Sequence, residues 1–463
     1  MFFNKSLKGG AEIKEYFFTF ILCAATWLCP MIYNALRGHF RLLHPIGFMP
    51  LMMVYMTVPP LIYNITGEPI LHTSRVWSEN SWFLAEPLLV LGLGGVFYHV
   101  GVRLSKTSLM LGPRDEVNFF LRMQSIRGIP GAILFFICCL VLALAILSRL
   151  VMPMENFAKG YYWMHLFFIS FYILPIFVFH QNQKWGLLFL LLILPSPLLL
   201  RSKAAFLYIA IAFIVFYQGK LFKLSKVITL IILTLILLTP AAVELYSLNT
   251  AYTADYKNDV QNLLDYAQGS FQESWVNSIL IISHREYAFE SFSCVYQKRR
   301  EGEPLYWGEK TFIAMALNIP SFIWPEKPFT FDAFPAEYLP LDYRGYTIHY
   351  AQHTLTPFFL DFDIPGVCLG MIFIGYLFGY SYRLALDQTI RRLEIWPLII
   401  YSTLIINAKY IVESNIFNGL IHAMGMALGG LLVVWLSYYC VGRKFTLVRN
   451  SISARLPLNK SYF

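Results

Sequence analysis

Charge is scarce in this chain. Asp, Glu, Lys and Arg make up 14% of its 463 residues, where a soluble domain holds roughly 25%. A water-facing surface on every side is therefore excluded for a chain of this length. Cysteine is sparse too: Cys23, Cys29, Cys138, Cys139, Cys294, Cys368 and Cys440. Six of them lie in or beside apolar runs, as small packing residues do. Cys294 stands alone in its polar stretch, which excludes a disulfide-stapled loop. There is no Cys/His cluster at ligand spacing, so a metal site is not indicated. P-loop, Rossmann glycine, Gly-x-Ser-x-Gly and zincin motifs are all missing. Transport driven by a nucleotide-binding domain is thus unsupported within this chain. Internal repeats and low-complexity tracts are absent as well.

What the sequence does have is apolar length. It is 57% hydrophobic and 17% aromatic, with mean hydropathy +0.56. Runs of about 20 apolar residues recur, each able to cross a ~30 Å hydrocarbon layer. They fall at 16–35, 45–65, 82–104, 130–148, 161–180, 185–200, 204–217, 224–245, 355–382, 395–412 and 416–441. The expected fold is an all-α membrane protein with about eleven to twelve transmembrane helices. Lys5, Lys8 and Lys14 precede a first run too long for a typical signal peptide, and a second run follows at once. That start reads as an uncleaved anchor. In the third run, Gly92, Gly94 and Gly95 would let a neighbouring helix approach closely.

One long stretch, 247–354, cannot sit in a bilayer. It holds 13 acidic and 8 basic side chains, a balance of −5, and the remainder of the chain carries +14. It reads as a folded, aromatic cap on one face, with the chemistry beneath it. The expected division is 1–246 and 355–442 as membrane helices, 247–354 as the large extracytoplasmic loop, and 443–463 as a cytoplasmic tail. The net charge of +9 is not a nucleic-acid signal, because most of the cations lie in short links between apolar runs. Positive-inside sorting places them there. With the tail inside, the links holding Arg383, Lys220, Arg103 and Arg37 also fall inside and the cap falls outside. The three N-terminal lysines then fall outside, against the rule.

Within the cap, 272–300 has helical spacing of Trp275, Ile279, Ile282, Phe289, Phe292 and Tyr296. It lies either along the membrane surface or packed inside the cap. Gly302 and Pro304 end it. Pro320, Pro325, Pro328, Pro335 and Pro340 make the next part an irregular, braced loop.

Several side chains suit chemistry on an anionic lipid carrier. Arg201 and Lys203 sit at an outer turn where sorting does not ask for positive charge. They would grip phosphate oxygens or merely snorkel at a helix end. Arg285 is either a ligand-facing cation or part of a solvated helix face. Lys298, Arg299 and Arg300 read as plain surface. Lys327 is held stiffly between Trp324 and two prolines, or simply pairs with Glu326. His349 and His353 stand before the run at 355, with a His reference pKa of about 6.5 that suits a base, although a lone His is more often structural. Asp361 and Asp363 lie in an apolar segment and demand partners. Lys409 and Glu413 are four apart on one helix face. They act in a site or neutralise one another. Arg344 is a further cap cation.

Three stretches resemble the bacterial O-antigen polymerase (Wzy-type) family, which joins lipid-linked repeat units. They are SPLLLRSKAAFLY at 196–208, NIPSFIWPEKP at 318–328 and HTLTPFFLDFDIPG at 353–366. The last is also similar to the segment that closes the large loop in O-antigen ligases. The resemblance implies a membrane glycosyltransferase of GT-C-like architecture in the bacterial cytoplasmic (inner) membrane. Its substrates would be undecaprenyl-diphosphate-linked glycans, with no cofactor or nucleic acid, and with a chain-length regulator and a flippase as companions. His353, Glu413 and Arg201 would be catalytic. Lys203, Arg285, Lys327, Arg344, His349 and Lys409 would bind substrate. The alternatives are an O-antigen ligase and a multi-pass polysaccharide or lipid transporter.

Overall fold

Helix α3 (Ala85–Leu104) is the member against which the others are built. The computed structural model describes residues 9–37, 44–58, 85–109, 131–151, 185, 188, 192, 288–317, 319, 323–326, 353–391, 396–413 and 416–440. These residues contain no strand. The further helices are α1 (Gly9–Leu36), α2 (Phe48–Tyr55), α4 (Gly131–Val151), α5 (Ala288–Arg300) and α6 (Glu309–Ala316). After them come α7 (Thr356–Arg391), α8 (Trp396–Ile406), α9 (Ala408–Glu413) and α10 (Ile416–Cys440). Among the described residues, four segments are long and apolar enough to cross a membrane: Phe17–Leu36, Ala85–Leu104, Thr356–Ala385 and Ile416–Leu436. They mark a membrane protein. The runs expected at 161–180, 204–217 and 224–245 lie outside the described residues, as do 247–287 and 327–352 of the expected loop.

The α3 glycines let two helices in at once. Gly92 and Gly95 face α1, where an added Cβ at Gly95 would sit 3.0 Å from the Trp27 indole. Gly94 faces Val367 and Met371 of α7. Further along, any side chain on Gly101 would run into the Ile372 carbonyl, and any on Gly375 into the Tyr98 carbonyl. The backbones of α3 and α7 therefore touch, as small-residue seams in membranes allow. Thr107 Oγ1 closes the seam by donating to the Gly379 carbonyl at 2.7 Å.

The order of these contacts fixes direction. Gly94 meets Met371, Tyr98 meets Gly375 and Ser105 meets Gly379, so α3 and α7 run parallel. Cys23 meets Gly92, Trp27 meets Gly95, and Asn34 donates to the Leu109 carbonyl, so α1 runs parallel to both. Arg37, Arg103 and Arg383 thus share one end of the bundle. Glu86 and Asp363 share the other. Pro30 inside α1 lacks the N–H that Thr26 would receive. The His99 ring lies beside this turn instead, with Nε2 3.0 Å from the Trp27 carbonyl.

On the other side of α7, Tyr382 meets Tyr401 of α8 at 5.2 Å. The run expected as a single helix over 395–412 is split at Asn407, whose Nδ2 turns back to the Thr403 carbonyl and toward Met426 Sδ. The α8–α9 arm then runs antiparallel to α10, with Ile411 against Gly419 and Ile399 against Gly430.

Helix α5 occupies the end of the expected 272–300 helix. Phe289, Phe292 and Val295 are fully buried. Phe292 meets Phe359 edge to face at 5.4 Å, and Tyr296 stacks on Phe359 at 5.5 Å. Over 288–300 this helix is packed onto α7, because its aromatic stripe has an aromatic partner there. It ends where the sequence says. Gly302 has φ 105°, its N–H bonds the Arg299 carbonyl, and the Glu303 N–H bonds the Lys298 carbonyl. That pair of bonds is the Schellman closure, with Pro304 just beyond.

Candidate functional site

Helix α7 is not a straight rod, and its break builds the site. Pro365 cannot donate to the Asp361 carbonyl. Asp363 has φ 58° and ψ −146°, a conformation rare for a residue with a side chain. Its own Oδ1 takes the Ile364 N–H at 2.8 Å, which strands the Leu360 carbonyl as well. Both stranded carbonyls are recaptured from outside the helix. Tyr306 N–H donates to Leu360 and Trp307 N–H to Asp361, each at 3.2 Å. A buried backbone acceptor needs a partner, and this turn supplies two donors in succession.

Asp361 makes the same junction from its side chain. It is fully buried. Its Oδ1 accepts the Lys310 N–H at 2.9 Å and its Oδ2 the Thr311 N–H at 2.8 Å. The carboxylate thus caps the first turn of α6, where free N–H groups and the helix dipole both favour a negative charge. Gly308, at φ 98°, makes the turn into that helix. Lys310 folds inward with Nζ 4.3 Å above the Tyr306 ring and 3.7 Å from Glu309.

Around this junction lies a ring of charge. Arg299 Nε is 3.4 Å from Asp363 Oδ2, and its Nη1 donates to the Glu303 carbonyl. Tyr296 OH donates to Glu86 at 2.9 Å, and Arg300 stands 3.8 Å from the same carboxylate. Burial, with the Glu86 hydrogen bond behind it, pushes the Tyr296 phenol up to about 12. Tyr296 therefore stays a donor across the physiological range. The partners that Asp361 and Asp363 require are thus present. Arg299, which reads in sequence as plain surface, is one of them.

Beyond the kink the chain doubles back. Gly366 lies directly against the Phe358 carbonyl and Gly370 against the Phe358 ring. Leu355 shares the Gly94 contact with Val367 and Met371. Residues 353–362 therefore form one arm of a hairpin, folded back against the part of α7 that follows the kink. His353 ends near the level of Met371, eight positions past Asp363, or about 12 Å along the helix axis. The sequence suggests a His at the mouth of the span, but the hairpin carries it inward.

His353 is fully buried against Phe292, with ring centroids 5.7 Å apart. Burial pushes its imidazole down from 6.5 to about 3. The ring is neutral at any ordinary pH. Leu355 N–H points at Nδ1 from 3.2 Å, so the ring proton sits on Nε2. That Nε2 has no partner among the described residues, nor do the buried hydroxyls of Thr354 and Thr356. His353 is thus set up to donate a hydrogen bond rather than to take a proton.

The neighbouring residue reaches across the bundle. Thr354 N–H donates to the Val412 carbonyl at 3.2 Å. Val412 precedes Glu413, the last residue of α9, and Lys409 lies on the same short helix. The segments bearing His353, Lys409 and Glu413 are brought together. Arg201, Lys203, Arg285, Lys327, Arg344 and His349 lie outside the described residues. Asp361, Tyr306 and Glu86 were not picked from sequence for the roles they have. Only the proline at 365 gave a local signal of the break that recruits Tyr306. Comparison of the chain with protein-family models, with curated proteins and with solved structures finds no match.

Proposed function

We propose that this chain is a membrane glycosyltransferase that polymerises undecaprenyl-diphosphate-linked oligosaccharide repeat units on the outer face of the bacterial cytoplasmic membrane. The observation that carries this reading is the Thr354–Val412 hydrogen bond of 3.2 Å. It ties together two distant segments, each selected from sequence for a catalytic side chain. The acceptor hydroxyl oxygen bonds to the donor's anomeric carbon. The bond from that carbon to the diphosphate oxygen breaks, and the electron pair leaves on the lipid diphosphate. The hydroxyl proton passes to Glu413 as general base. His353 Nε2–H orients the hydroxyl or its neighbour by donating to oxygen. Arg201, Lys203, Arg285, Lys327, Arg344, His349 and Lys409 bind the diphosphate and the sugars, and the cations stabilise the departing charge more than the ground state.

The test is a reaction of the purified protein with one lipid-linked oligosaccharide. A ladder of lengths is expected. A single transfer to a core lipid means a ligase instead. Glu413→Gln is expected to slow extension by roughly 100-fold or more, and Arg201→Ala to abolish it, with both proteins still in the membrane. Normal-length glycan from either variant overturns its assigned role.

One feature favours a second reading. The α7 hairpin and the α8–α9 break are interrupted helices of the kind that line transporter sites. Movement of the lipid-linked glycan across a sealed vesicle, without elongation, would select the transporter.

A further inference from the structure

Helix α6 and the turn before it carry a row of large apolar side chains that are exposed among the described residues. Trp307 is 75% exposed and Phe312 60%. Met315, Phe362 and Ile364 are exposed as well. The row is continuous. Trp307 meets Phe362 edge to face at 6.4 Å, and Gly308 lies beside the same ring. Phe312 and Met315 follow Gly308 along one face of α6 at helical spacing. The opposite face, with Lys310, Ile313 and Ala314, is buried.

Two neighbours of the row say what covers it. Past Ile364 along the chain come Leu369, Phe373, Tyr376 and Tyr380, the exposed stripe of α7. That stripe belongs to a segment long and apolar enough to cross a membrane, so its exposed face is the lipid face. At its other edge the row meets charge. Glu309, Arg300 and the Lys298–Glu301 pair are all well exposed. An apolar body with a Trp at its edge and charges above is the profile of the headgroup boundary. In water, a patch of this kind would be a liability.

We propose that α6, Trp307 and the α7 kink form a ledge seated in the phospholipid headgroup–acyl boundary, at the Glu86/Asp363 end of the bundle. The ledge ties the start of α6 to the bilayer while Asp361 ties it to α7. Its occupant is lipid, because the exposed apolar residues on both sides of Asp363 lead along the chain into the lipid-facing stripe, and the one carboxylate between them is paired with Arg299. This assignment stands apart from the glycosyltransferase reading and survives its failure.

The test places the photoreactive residue p-benzoylphenylalanine at position 312, and separately at 307, in the full chain. The protein is reconstituted in vesicles of phosphatidylethanolamine and phosphatidylglycerol, irradiated, and its adducts are weighed. Position 301, on the charged edge, serves as the comparison. Phospholipid adducts at 312 and 307, at least tenfold above those at 301, are expected. Crosslinks to a second copy of the chain would overturn the proposal in favour of a subunit interface. Negligible lipid adducts at all three positions would overturn it in favour of an aqueous face, and equally strong adducts at all three would overturn the boundary placed between the ledge and its charged edge. Positions 312 and 307 are exposed on different turns, so a folding defect at one leaves the other readable.

Discussion

Asp361 and Arg299 divide what single residues reveal in a sequence from what they conceal. A carboxylate in an apolar run must be compensated, so the need for partners at Asp361 and Asp363 is legible. Their identity is not. Asp361 is answered by the backbone N–H groups of Lys310 and Thr311, and every residue but proline carries such a group. Arg299 lies in a Lys-Arg-Arg run that gives no hint which member turns inward. His353 was legible as a residue of interest, but its chemistry was not, because burial and the Leu355 N–H decide it. That chemistry has a pH signature. The unfolded ring takes up its proton near 6.5, while the folded ring resists until about 3. Between those values the unfolded chain binds more protons, so stability falls as pH falls. The slope is up to about 1.4 kcal/mol per pH unit. Above 6.5 the ring adds no pH dependence. Thermal unfolding in detergent at pH 7 and pH 5 should show a smaller acid loss for His353→Gln than for the parent. Equal losses would mean that the ring is not buried neutral.

At the scale of elements, glycine placement was the clearest message. Gly92, Gly94 and Gly95 announced close neighbours, and α1 and α7 are those neighbours. The hairpin at Asp363 was hidden inside a run that hydropathy counts as one span, because Phe, Leu and Ile continue on both sides of the break. Only Pro365 marks it. The α8–α9 division was hidden for the same reason, since Asn407 is one polar residue in an apolar stretch. The seam offers a sharp comparison. A Cβ on Gly375 meets the backbone of α3, which cannot rotate away, whereas one on Gly430 meets only Ile399 Cγ2 at 3.3 Å. Gly375→Ala is expected to cost about 1–3 kcal/mol through overpacking. Gly430→Ala is expected to be near neutral or stabilising by up to about 1 kcal/mol through helix propensity. Melting temperatures of the two variants in the same detergent check this. Similar losses would refute backbone contact at the seam.

At the scale of the whole molecule, the parallel course of α1, α3 and α7 is the organising fact. It puts Arg37, Arg103 and Arg383 at one end, where positive-inside sorting wants them, and so places the Lys14 end opposite. The sequence rule alone registered that placement as a conflict, because it weighs charges and knows nothing of helix packing. Reporter fusions after residues 107 and 391 are expected to show the cytoplasmic phenotype, and one after residue 302 the extracytoplasmic phenotype. Opposite phenotypes at 107 and 391 would break the parallel arrangement. The seam also sets a timetable for biogenesis. Gly101 leaves the ribosome long before Gly375, and at 5–20 residues per second the gap is roughly 14–55 seconds. Through that interval the notched side of α3 waits in the bilayer without its mate. A nascent chain halted short of α7 is therefore a target for membrane quality control, however well its earlier helices have inserted.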